Sequence, residues 1–324
     1  MADSGASRSK RTEQPSTGGG IFVIHNPMAG VRHPDRLRRR VESELESRGI
    51  RFEYAFTEDR GHGEELTRRA LERGFDRVLV AGGDGTVLEA AVALIGTESA
   101  LAMLPVGTGN QLAANLGLPR GLKKLLNVAV TGVQRKIDVG MLDGRPFTII
   151  AGAGFDAEVI RPPASLKRRI GYLAYVQAAT GAAIAPKVSR LRVVVDGKAE
   201  TLSGIGVEVA NMPGLTAPTL VRPVDLVPNG KPDDGLLDVC VLAVESTVEF
   251  VAALTAIMTG RQKKSSGLQY FRGREVRVEA DPPLPVQIDG ELLDKTTPFV
   301  ATVRPLALNV IVPDDREGEA PGDA

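Results

Sequence analysis

Two glycine turns carry the residues of this chain best suited to chemistry. Gly82-Gly83-Asp84-Gly85-Thr86 follows the apolar run Val78 to Ala81 and precedes a helix-compatible run, Val87 to Leu94. Val106-Gly107-Thr108-Gly109-Asn110 follows a second apolar run, Leu101 to Pro105. Glycine lets a backbone turn sharply and lets an anion approach the amides with no Cβ in the way. A helix that starts there aims unpaired N–H groups and its positive dipole end at that anion. The predicted chemistry is phosphate binding at the carboxyl edge of a sheet. One such turn is explained equally well as a strand-to-helix loop capped by Asp84. Two on neighbouring strands face a single crevice.

The elements that must hold these turns can be read upstream. Ile21 to Ile24 is the first strand and runs into His25-Asn26-Pro27-Met28-Ala29-Gly30. A charged helix over 35–48, a strand over 51–56 leading to Thr57-Glu58, and a helix over 63–72 follow. Strand and helix alternating at these lengths predict a Rossmann-like α/β nucleotide domain over residues 21–134, its parallel sheet covered on both faces. Asn26, Thr57, Gly82 to Thr86 and Thr108 would all lie at strand carboxyl ends.

From Lys136 onward the pattern becomes β-rich. Strands are expected at 147–151, 191–195, 205–210, 236–242, 275–279, 285–288 and 300–304. Asp143-Gly144, Asp196-Gly197 and Asp289-Gly290 are hairpin dipeptides. Residues 135–304 are therefore expected to form an antiparallel β-sandwich domain. Residues 1–20 and 314–324 have compositions that cannot bury a core and are expected to be disordered tails. The first of them lacks the apolar centre of a secretory signal, which predicts a cytoplasmic protein.

Composition narrows the function. With 324 residues, 43% hydrophobic, there is enough chain for two cores. Lys+Arg and Asp+Glu are 40 each, so no net field favours nucleic acid. A single cysteine, Cys240, rules out an internal disulfide framework, and His25, His33 and His62 are badly spaced for zinc. Gly152-Ala153-Gly154-Phe155-Asp156-Ala157 spells a dinucleotide fingerprint but stands in the β-rich half, before the helix-breaking Pro162-Pro163. No P-loop signature is present.

The two glycine motifs, Gly82 to Thr86 and Leu104-Pro105-Val106-Gly107-Thr108-Gly109-Asn110, look like the signatures of the diacylglycerol kinase catalytic domain. That family includes the soluble bacterial lipid kinases and the sphingosine and ceramide kinases. NAD kinases share the first motif. The resemblance covers roughly Ile21 to Pro313 and implies ATP as phosphoryl donor and a lipid hydroxyl as acceptor. It implies nucleotide contacts at Asn26, Thr57, Gly82, Gly83, Asp84, Gly85, Thr86, Glu89, Gly107, Thr108 and Asn110. It further implies that the segment at about 305–313 returns to the first domain.

Two acidic clusters acquire roles only through the resemblance. Taken alone, Asn229 to Asp238 reads as a solvated turn, and Val286-Gln287-Ile288-Asp289-Gly290-Glu291 as a hairpin. The resemblance implies Mg2+ held by the Asp234 carboxylate and the carbonyls of Lys231 and Leu236. It implies Glu291 as the general base, with Asp84 expected to organise metal and phosphate. Leu88 and Gln111 depart from the commoner bacterial residues, Asn and Asp, which leaves the acceptor less secure than the donor. Leu166 to Val176 begins with a basic cluster and continues with apolar and Tyr positions, which suits either a helix at an anionic membrane surface or one capping the sandwich. A homodimer is compatible with the sequence. The competing readings are an NAD kinase and a non-catalytic nucleotide- or lipid-binding protein.

Overall fold

The computed structural model describes residues 19–30, 33–154, 187–215 and 224–314. The N-terminal half alternates strand and helix. It comprises β1 (Ile21–His25), α1 (Pro34–Ser47), β2 (Phe52–Phe56), α2 (His62–Glu72), β3 (Arg77–Gly82), α3 (Asp84–Leu94), β4 (Ala100–Pro105), α4 (Gln111–Asn115) and α5 (Leu122–Thr131). The four strands pair in parallel in the order β2-β1-β3-β4. Strand alternation divides the core. Phe22, Ile24, Val78 and Val80 pack with α2 and α3, whereas Ile21, Val23, Leu79 and Ala81 pack with α1 and α5. Both faces are covered, which explains why β1 is apolar from Ile21 to Ile24 and β3 from Val78 to Ala81 without alternation.

The C-terminal half begins with β5 (Val133–Leu142), β6 (Arg145–Phe147) and β7 (Ile150–Gly154), then β8 (Ser189–Val195), β9 (Lys198–Gly204) and β10 (Gly206–Ala210). The short pair β11 (Gly214–Leu215) and β12 (Val224–Asp225) precedes β13 (Leu237–Leu242), α6 (Thr247–Met258) and a 3-10 turn at Gln262–Lys264. Then come β14 (Leu268–Gly273), β15 (Glu275–Asp281), β16 (Pro285–Ile288), β17 (Glu291–Thr296) and β18 (Phe299–Val312). Six strands form one antiparallel sheet, β14-β13-β10-β7-β16-β17. Its inner face packs Val207, Val209, Val239, Val241 and Val286 against Leu191, Val193, Val276, Val278 and Phe299 of the other sheet. At Asp143-Gly144, Asp196-Gly197 and Asp289-Gly290 both residues have positive φ, as a two-residue type I′ hairpin requires.

The parallel sheet does not stop at β4. A single sheet continues β4-β18-β15-β8-β9, with β5 on the other side of β18. The strand expected at 300–304 and the segment at about 305–313 expected to return to the first domain are one strand of 14 residues. Its register shifts between Arg304 and Leu308, around Leu306 at φ 49°. Thus β18 pairs antiparallel with β15 near one end and parallel with β4 near the other. The strand expected at 147–151 is two, broken at Thr148-Ile149.

Candidate active site

The turns after β1, β3 and β4 are held together by backbone proximity. A Cβ on Gly107 would stand 2.5 Å from the Gly83 Cα, so the two glycine turns touch main chain to main chain. A Cβ on Gly30 would stand 2.3 Å from the Val106 carbonyl oxygen. Side chains complete the clamp. Asn26 Nδ2 donates to Thr86 Oγ1 at 2.9 Å, and Asn26 Oδ1 accepts from the Met28 amide at 2.9 Å. Asn110, in the left-handed region, closes the second turn: its Oδ1 accepts from Gly107 N (3.0 Å) and its Nδ2 donates to Gly107 O (2.7 Å).

These turns open on a cleft of about 470 Å³. Asn26, Gly83, Gly85, Thr86, Gly107 and Thr108 line it, with the amino end of α3 among them. Met28, Ala29 and Gly30 line the part next to β1, and Thr57, Glu58, Asp59 and Arg60 come from the loop after β2. Glu89 also reaches the cleft, but both of its oxygens are engaged, accepting from Gly61 N (2.8 Å) and Gly63 N (3.0 Å). That carboxylate sits at the amino end of α2 and fixes the loop that carries Arg60.

Three residues expected to contact nucleotide lie behind the lining. Gly82 is within β3, and Asn110 is bonded to Gly107. Asp84 is turned toward the second motif. Its Oδ1 accepts from Gln111 N at 2.6 Å, where α4 begins. Burial pushes its pKa above the usual carboxylate range, while hydrogen bonds from the amides of Gln111, Asn110 and Leu112 oppose that. Asp84 therefore braces one glycine turn against the other.

Glu291 comes from the other half of the chain. It opens β17, is exposed, and forms an ion pair with Arg60, a residue that lines the cleft. The hairpin that carries it is pinned by Asp289, whose buried carboxylate accepts from Thr148 N (2.8 Å), Thr148 Oγ1 (3.0 Å), Ile149 N (2.9 Å) and Ile150 N (2.9 Å). Burial raises the Asp289 pKa against the pull of those donors. From the sequence Asp289 is only a turn residue. Its anchoring of the β6–β7 connection leaves no local signal.

The expected magnesium ligands do not fit a cation in this arrangement. Arg272 holds Asp234 Oδ2 at 2.6 Å and Asp238 Oδ1 at 3.0 Å, and Asp234 Oδ1 accepts from Leu236 N at 3.2 Å. Among the described residues no group of three or more His, Cys, Asp or Glu side chains is placed to hold a metal. A cation at Asp234, Lys231 and Leu236 would have to displace the guanidinium. Asp138, fully buried, organises this loop instead: it accepts from Gly235 N and Leu306 N, each at 2.7 Å, and its own amide donates to Pro232 O.

Neither departure from the bacterial pattern lines the cleft. Leu88 packs against the core between the two sheets, and Gln111 meets Asp84 through its amide. Gly152 to Gly154 of the fingerprint-like spelling lie inside β7, and the rest of it, from Phe155 on, lies outside the described residues. The basic and apolar segment Leu166 to Val176 lies outside the described residues.

Comparison with known proteins identifies the family. The family model of the diacylglycerol kinase catalytic domain matches residues 20–142, and that of the YegS C-terminal NAD kinase β-sandwich-like domain matches residues 149–312. A YegS-like lipid kinase of Chromohalobacter salexigens is 31% identical over 264 residues, covering 78% of this chain and 81% of the relative. The Bacillus subtilis diacylglycerol kinase is 28% identical over 277 residues, covering 83% and 88%. A solved diacylglycerol kinase structure from Bacillus anthracis superposes with a TM-score of 0.75 at 21% identity, covering 92% of this chain and 98% of that one. That likeness carries the fold.

Proposed function

Because this chain belongs to the diacylglycerol kinase catalytic-domain family, we propose that it transfers the γ-phosphate of ATP to the hydroxyl of diacylglycerol or a related hydroxyl-bearing lipid. The observation that carries this reading is the meeting of Glu291 and Arg60. It sets a carboxylate from the β-rich half against Arg60, a residue of the cleft that the glycine turns line. A kinase needs its phosphate cradle and its proton acceptor within one site.

The geometry supports the following roles. Amides of the turns at 83–86 and 107–108, with the amino end of α3, hold the phosphate oxygens. Thr57, Thr86 and Thr108 offer hydroxyls beside them. The lipid oxygen forms a bond to the γ-phosphorus as the bond from that phosphorus to the ADP oxygen breaks, and the hydroxyl proton passes to Glu291. A carboxylate is too weak a base to ionise an alcohol beforehand. It takes the proton late, as the new bond forms in a loose transition state. Asp84 acts at one remove, by keeping the two turns in register.

Magnesium carried on a triphosphate takes one or two carboxylates and keeps phosphate oxygens as its other ligands. Glu58 and Asp59 on the cleft lining are the residues that would hold it, and it would neutralise charge on the phosphates. No step is assigned to a cation at Asp234.

The test offers the purified chain labelled ATP with diacylglycerol and NAD side by side. Labelled phosphatidic acid is the expected product. Labelled NADP in its place would overturn the lipid assignment, and absence of any turnover would favour a binding protein.

A further inference from the structure

Helix α6 turns an apolar face outward. Phe250 and Ala253 are buried against the protein, but Val248, Val251, Leu254 and Met258 are 79%, 53%, 47% and 52% exposed. At 100° per residue these four fall within an arc of about 120°, with Thr255 inside it, Ala252 just beyond Val248, and Leu254 next to the buried Phe250. The Thr255 hydroxyl donates to Val251 O at 2.7 Å and that of Thr259 to Thr255 O at 2.8 Å. Both hydroxyls are thus satisfied by the helix itself. Soluble surfaces scatter such residues singly; a contiguous outward row of them marks an interaction site.

Charge is divided along the helix. The acidic groups lie at its start. Ser246 Oγ accepts from Glu249 N (3.3 Å) and the Glu249 carboxylate accepts from Glu245 N (2.7 Å), which turns that charge back onto the cap. The cations lie at its end. Gly260, at φ 68°, reverses the chain, and Arg261 N donates to Ala256 O at 2.7 Å. This helix stop places Arg261, Lys263 and Lys264, all exposed, beside the last apolar turn. Buried Gln262 donates to the Asp225 carbonyl at 3.1 Å and fastens the basic turn there.

We infer that α6 and its basic turn dock the protein on an anionic lipid surface, with the apolar row entering the headgroup layer and the three cations facing lipid phosphates. The inference rests on the lipid-kinase reading, since an acceptor confined to a bilayer must be met there. An apolar face flanked by cations has the chemistry of an interfacial helix. A second copy of the chain is the weaker occupant. The outward row is four residues, far fewer than the roughly 20–30 per side that a stable interface of standard size buries.

The experiment is flotation of the full chain with phosphatidylcholine vesicles, with and without phosphatidylglycerol. Alongside it, phosphorylation of a short-chain, water-dispersible diacylglycerol is measured. Wild type is expected to float with the anionic vesicles and to release at high salt. Val251→Asp with Met258→Asp should weaken anionic-vesicle binding at least about tenfold, and Lys263→Glu with Lys264→Glu should do so by a similar factor, both leaving turnover of the dispersed substrate unchanged. Wild-type flotation by both variants overturns the proposal. So does a dimer, seen by sedimentation, that the aspartates dissociate while vesicle binding persists. Absence of dispersed-lipid turnover in wild type would count against the kinase reading and leave the vesicle result to decide the docking face.

Discussion

The two sides of the cleft are made of different material. The side proposed for the nucleotide is main chain: Gly83 and Gly107 touch backbone to backbone, and Asn26, Asp84 and Asn110 use their side chains to hold other backbone groups. The side proposed for the acceptor is side chain: an exposed ion pair between Arg60 and Glu291, on a hairpin fastened by Asp289. The first kind of wall has no room for a Cβ at Gly107 or Gly30. The second changes by one substitution without disturbing the sheet, which is the economy expected of a scaffold that keeps its donor and varies its acceptor.

That contrast can be broken by mutation, beginning with the largest effect. Glu291→Gln should lower kcat by about 10²–10⁴-fold, the usual worth of a placed proton acceptor. ATP affinity, read by equilibrium binding, should stay near wild type; full turnover would remove Glu291 from the acceptor side. Gly107→Ala should act in the opposite sense, because its Cβ has no room against Gly83. A loss of roughly 1–3 kcal/mol in stability is expected from such overpacking, with ATP binding weakened together with turnover. Normal nucleotide affinity in that variant would mean the turns are not the cradle.

Asp289→Ala tests whether the hairpin is held from below. It leaves several donors unpaired in a buried place, at about 1–3 kcal/mol for each that finds no water. The denaturation midpoint should fall and kcat with it, while ATP affinity is kept. An unchanged midpoint would show that the hairpin stands without its anchor. Arg60→Ala should have the smallest effect on stability, below about 1 kcal/mol, as exposed ion pairs generally do. Its kcat should change by less than Glu291→Gln changes it; equal damage would place the guanidinium on the phosphates.

The same contrast decides what was legible in the sequence. A wall made of backbone writes itself as glycine, so the turns at 82–86 and 107–110 are readable, and the type I′ hairpins announce themselves through Asp-Gly. A wall made of side chains leaves no such spelling. The direction of Asp84 is set by α4, a five-residue helix too short to show a period. The four hydrogen bonds to Asp289 span about 140 residues. The Asp234 cluster looks like a cation site until Arg272, its cross-strand neighbour through Asp238, is seen to hold both carboxylates. Helix α6 escapes notice because apolar residues on nearly every side blur the amphipathic signal, and β18 looks like two strands because Pro305 and Leu306 interrupt it.

Strand β18 also limits how the molecule can be divided. It lies against β4 near its end and against β15 near its beginning, while β5 follows it along both stretches. Severing the chain ahead of Phe299 would not liberate a self-sufficient nucleotide half. It would strip β4 of its outer neighbour and leave a raw edge open to other strands.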